Sequence, residues 1–165
     1  AGLYAVLSLI GRVIYFFSAP IGMVMFPLVV QRKTKGEKYN SIFLASIFLV
    51  LASSFGITLF YFLFPEFVIT LFARSNEYLV LKPYIGLFGI FISLYCLLTI
   101  ITNFFLSIKK THIVWPTIII SLVQAILIYL FHSTFFQIIY ISLGSVIFLL
   151  TILLLYYLKL YGQRR

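Results

Sequence analysis

The run 1–30, AGLYAVLSLIGRVIYFFSAPIGMVMFPLVV, is apolar for longer than a bilayer is thick and carries a single charge, Arg12. A helix needs about 20 apolar residues to cross the hydrocarbon, and further apolar runs of that length follow along the chain. In hydrocarbon every backbone N–H and C=O must find a partner within the protein, which leaves helices and closed barrels as the spanning structures. Barrel strands alternate apolar and polar residues over about 10 positions, and these runs do not alternate. The expected fold is therefore all-α: an integral membrane, polytopic helix bundle. Composition agrees, with 64% hydrophobic and 9% charged residues, against roughly 45–50% and about 25% in soluble domains.

Five transmembrane helices are expected, at about 3–30, 41–64, 83–108, 114–131 and 135–157, with a greasy interfacial segment at about 65–80, all in one bundle over 1–165. The formal charge of +9 would suggest nucleic acid on a soluble protein, but here most basic residues sit in short connections, where they set topology. No nucleic-acid partner is expected. Arg32, Lys33, Lys35 and Lys38 outnumber Glu37 after the first span, Lys109 and Lys110 follow the third, and Lys159, Arg164 and Arg165 close the chain. In the alternate connections Glu66 and Glu77 balance Arg74 and Lys82, and 132–134 has neither Lys nor Arg. The positive-inside rule then puts the basic connections and the C-terminus in the cytoplasm. The first span lacks a basic n-region and a small-residue cleavage site, so it does not read as a signal peptide. The chain is expected to be a fragment lacking upstream helices.

Small residues at four-residue spacing, Ser18 with Gly22, Ala52 with Gly56, and Ser121 with Ala125, are candidates for close helix contact, as are Gly86 and Gly89. Tyr39, Tyr61, Tyr78, Tyr84, Trp115, Tyr129, Tyr156 and Tyr161 fall near span ends, as an aromatic belt would. Cys96, the single cysteine, lies within an apolar run and reads as a buried small residue.

Catalysis has little to draw on. There is no triad spacing, paired carboxylate, HExxH or glycine-rich phosphate loop, and His112 and His132 fall at opposite faces of the membrane. An integral membrane enzyme remains possible only through residues upstream of this chain, and no cofactor and no metal are expected. No carboxylate lies inside a span, so an intramembrane ion relay lacks its usual residue. Most hydroxyls at depth are expected to bond their own or a neighbouring helix. Asn103 and Gln124 are the better candidates for a cavity wall.

Arg12 differs in kind. An arginine near the centre of a span costs roughly +2.5 to +3.5 kcal/mol on insertion scales. Its place, roughly 12 Å along the helix axis, allows the side chain to snorkel to the outer interface. At helical spacing, however, Tyr4, Ser8, Gly11, Arg12, Tyr15, Ser18 and Gly22 share one side. Lipid offers such a stripe nothing, so it favours a wall against protein or a wet cavity. A guanidinium there suits a phosphate or diphosphate, bound through two parallel charge-assisted hydrogen bonds. Pro20, which removes one helix hydrogen bond, is the candidate hinge.

The pattern Ala1-Gly2-Leu3-Tyr4, Leu9-Ile10-Gly11-Arg12, Ala19-Pro20-Ile21-Gly22 and Phe26-Pro27 before a basic loop resembles the start of the C-terminal half of polysaccharide-biosynthesis membrane proteins. These are oligosaccharide flippases, in the superfamily that also holds the lipid II flippase and the multidrug and toxin extrusion transporters. Leu63-Phe64-Pro65-Glu66 to Leu71-Phe72 and Ser107-Ile108-Lys109-Lys110 look like later parts of the same half. The resemblance implies most of the C-terminal lobe of a twelve-helix, two-lobe transporter in the bacterial cytoplasmic membrane. Its implied activity is alternating-access translocation of a polyprenyl-diphosphate-linked oligosaccharide for cell-surface polysaccharide, with membrane lipid and the missing N-terminal lobe as partners. Arg12 would then hold the diphosphate, and Tyr4, Ser8 and Tyr15 would line the same wall. The alternatives are an ion-coupled multidrug and toxin antiporter of the same superfamily and a non-transporting membrane scaffold.

Overall fold

The computed structural model describes residues 2–73, 76–131 and 134–162, and all the regular structure there is helical. The spans are α1 (Gly2–Thr34), α2 (Asn40–Leu63), α4 (Lys82–Ser107), α5 (Val114–Leu130) and α6 (Phe135–Gly162), with the short α3 (Pro65–Phe72) after α2. Short 3₁₀ helices, Asn76–Leu81 and Thr111–Ile113, lead into α4 and α5. Five helical segments are long and apolar enough to cross a membrane, so this is an all-α, multi-pass membrane protein. The expected Arg74, His132, Arg164 and Arg165 lie outside the described residues.

The helices begin and end within a few residues of the expected ranges except at the C-terminal ends of α1 and α6, which continue past 30 and 157 into polar and charged positions, to Thr34 and Gly162. Polar side chains do not stop a helix; backbone hydrogen bonding does. α1 ends where Gly36 takes φ +73°, while Glu37 N–H reaches Arg32 C=O at 2.9 Å and Gly36 N–H reaches Lys33 C=O at 3.2 Å. This is the Schellman closure, which needs a left-handed residue just past the helix. α4 closes in the same way through Lys109 at φ 61°, with Lys110 N–H on Phe105 C=O. Lys33 Nζ donates to the Ile108 carbonyl at that same end, placing a cation where the helix dipole favours one. α1 shows no break at Pro20 or Pro27.

α4 is the centre of the bundle, packing on α1, α2 and α6, while α1 also packs on α2 and α5 leans on α6. Between membrane helices hydrophobicity supplies no drive, so close van der Waals fit and interhelical hydrogen bonds must. Tyr61 Oη donates to the Ile10 carbonyl at 2.7 Å, and Thr58 and Ser93 hydroxyls pair at 2.9 Å, tying α2 to α1 and α4. Phe43 stacks on Phe104 at 3.9 Å, and both meet Tyr157, so the start of α2 lies beside the ends of α4 and α6. At the opposite end Tyr84 packs on Phe136. Arg32, Lys33, Lys35, Lys38, Lys109, Lys110 and Lys159 thus gather at one end, with Glu66, Glu77 and Lys82 at the other.

Some expectations are corrected. Ala52, Gly56, Ser121 and Ala125 face outward and seat no neighbouring helix, and the site of a Gly56 side chain is open. Their spacing is right but they lie on the wrong sides of α2 and α5. Tyr61 is not an interfacial anchor but a buried interhelical link. Gly86 and Gly89 do admit close neighbours, Phe62 at the first and Tyr61 with Thr58 at the second. Cys96 is buried, as expected.

The segment after α2 is pinned to α4 by an ion pair between Glu66 and Lys82. The hydrogen bond from Lys82, and then its charge, hold the Glu66 carboxyl below its ordinary value of 4.5. A carboxylate with a lowered folded value stabilises the fold above the ordinary value and loses that contribution as pH falls through the lower one. Thermal midpoints of the wild type and Glu66→Gln are therefore expected to differ slightly at pH 7 and to converge as the medium is acidified past pH 4. Because the pair is exposed, the difference is expected to be small.

Candidate functional site

The polar stripe of α1 straddles the edge of its seam with α4. Gly11, Ser18 and Gly22 are buried there, Ser8 is half-buried, and Tyr4, Arg12 and Tyr15 are uncovered by the rest of the chain. Close packing explains the small residues: a side chain on Gly11 would meet Phe88 and Ile92, and one on Gly22 would meet Ile100 and Asn103. The seam thus turns the outer part of the stripe toward an open surface beside α4.

Arg12 sits in a shallow hollow of about 350 Å³ with Ala5, Val6, Ser8 and Leu9. Its guanidinium makes no hydrogen bond or ion pair among the described residues. One turn further along α1, Tyr15 opens a groove of about 350 Å³ between α1 and α4, lined also by Ser18, Gly22, Cys96, Thr99 and Asn103. Ser18 and Thr99 donate to carbonyls one turn back in their own helices, Ile14 at 3.0 Å and Tyr95 at 2.9 Å, leaving hydroxyl oxygens as acceptors. The Asn103 amide, beside Gly22, makes no side-chain hydrogen bond among the described residues. Chemically, the surface offers one free guanidinium for an anion and, deeper, a cleft with an amide and hydroxyls suited to polar groups on a largely apolar ligand.

Of the residues expected from sequence, Arg12, Tyr4, Ser8 and Tyr15 share this face, and Asn103 joins them across the groove. Gln124 does not. Its Nε2 donates to Ser142 Oγ at 3.2 Å, between α5 and α6, so it acts as an interhelical link away from α1. Cys96 and the Met23, Phe26 and Pro27 walls were not expected in a site, because a sequence does not show which helix α1 faces. Glycines on the stripe at 11 and 22 were the available signal. Comparison of the chain with protein-family models, curated proteins and solved structures finds no match.

Proposed function

We propose that this chain is most of the C-terminal lobe of a two-lobe flippase, which translocates a polyprenyl-diphosphate-linked oligosaccharide across the bacterial cytoplasmic membrane with its basic end in the cytoplasm. The observation that carries the reading is the Arg12 guanidinium, unpartnered among the described residues and uncovered on a spanning helix, one turn from a groove that offers an amide and hydroxyl acceptors. Such a cation inside a span is costly and pairs with something. A diphosphate matches its fork of donors, while Asn103, Thr99 and Tyr15 suit hydroxyl-bearing sugar near the cleft. Pro20 leaves the Phe16 carbonyl without its helix partner, a local softness on which α1 would bend during alternating access. The three carboxylates lie outside the apolar cores of the spans, while the charge within one is positive, which favours an anionic substrate over organic cations.

A cavity wall must be wet in at least one state of the cycle. In the full-length protein with Cys96 replaced, single cysteines at Ser8 and Tyr15 are expected to react with a membrane-impermeant thiol reagent. Cysteines at the uncovered Phe17 and Val24, on the other flank of α1, are expected to stay unlabelled in lipid. Equal silence at all four positions would leave Arg12 as a snorkelling residue and remove the flippase reading.

A further inference from the structure

On the flank of α1 that faces α2, the helices part to leave an open groove of about 460 Å³, lined by Pro20, Ile21, Val24, Leu28, Ile42 and Leu49. Ser46 is also on its wall, but its hydroxyl donates to the Ile42 carbonyl at 2.9 Å, so the wall offers a ligand no donor. Only hydrocarbon suits it. The groove lies next to the basic end: Arg32 stands one turn beyond Leu28 on α1, and Lys38 comes four residues before Ile42, just ahead of α2. Arg32 Nη1 donates to the Lys38 carbonyl at 3.3 Å, which joins these two positions at that end. Glu37 approaches Arg32 at 3.9 Å in an exposed pair, while the Lys38 ammonium has no partner among the described residues. With Lys33 and Lys35 alongside, the crown keeps a positive balance.

We propose that this groove is a binding site for an anionic phospholipid, one acyl chain lying between α1 and α2 and the phosphate seated on Arg32 and Lys38. An apolar channel in a span under a basic crown matches both parts of that molecule, whereas a free phosphate lacks the chain and a zwitterionic lipid brings a cation of its own to the crown. Two cationic side chains beside the headgroup imply roughly a thirtyfold preference for an anionic lipid. The proposal is independent of the transport reading and stands or falls without it.

The test uses the full chain in mild detergent, incubated with equal amounts of phosphatidylglycerol and phosphatidylcholine carrying the same chains, with retained lipid counted by native mass spectrometry. The wild type is expected to retain phosphatidylglycerol about tenfold or more over phosphatidylcholine. Arg32→Gln with Lys38→Gln is expected to bring the two lipids close to parity. Leu28→Trp, at a position 41% exposed and so no threat to the core, fills the groove and is expected to lose phosphatidylglycerol with the charges intact. Lys109→Gln with Lys110→Gln removes equal charge at the same end and is expected to leave the preference in place. Parity in the wild type, full retention by the filled groove, or equal loss in both double variants would overturn the site.

Discussion

Replacing Arg12 by Gln in the full-length protein is expected to lower translocation of the lipid-linked oligosaccharide by at least about tenfold while leaving the bundle folded. The fold should survive because the guanidinium is uncovered and bonds nothing among the described residues, so no buried partner is stranded. The loss should be large because a hydrogen bond to a charged group contributes about 1.5–3 kcal/mol, and a bidentate guanidinium supplies two. Arg12→Lys keeps the charge but not the planar fork, and is expected to restore part of the rate. A reconstituted flipping assay on the three forms, with detergent-solubilised thermal midpoints as the folding control, separates the outcomes. If Arg12 only snorkels, Gln and Lys variants should both transport at the wild-type rate, and the diphosphate role is then lost.

The spans were legible because the bilayer imposes a length and a composition, and both are written locally in the chain. The stretch between the second and third spans was legible as greasy, and it resolves into α3 and a short 3₁₀ helix, with Pro65 opening α3. The end of α1 was not, since it depends on a positive φ at Gly36 and not on where the apolar residues stop. Of the site, Arg12 was legible from its cost and its stripe. Which polar residues join it was not, because periodicity gives the face of each helix but not its neighbour. Asn103 and Gln124 looked equivalent in sequence; α4 lies against α1 and α5 against α6, and that packing alone separates them. Ser54 shows the same limit from the other side: its Oγ is buried with no hydrogen-bond partner among the described residues, a detail no pattern announces.

Gly11 and Gly86 make the consequence of that packing measurable. A methyl on either would come within 2.5 Å or less of a phenylalanine ring, Phe88 for Gly11 and Phe62 for Gly86. Distance alone would predict equal damage. The rings differ in freedom: Phe88 is 5% exposed and fixed between α1 and α4, whereas Phe62 is 56% exposed and can swing outward. Gly11 also has Ile92 at 3.0 Å, so there is no direction in which a methyl escapes. Overpacking a fixed site costs about 1–3 kcal/mol, and the helix-propensity gain from Gly to Ala returns at most about 1 kcal/mol. Gly11→Ala is therefore expected to destabilise the bundle and Gly11→Leu to do so severely, while Gly86→Ala is expected to be near neutral. Denaturant titration in detergent, followed by helicity, reads the midpoints directly. Since Gly11 sets the approach of α1 to α4 just below the Tyr15 groove, Gly11→Ala should also widen that cleft and lower transport in the full-length protein, which Gly86→Ala should not. Equal destabilisation by both alanines would mean that ring mobility does not govern this seam.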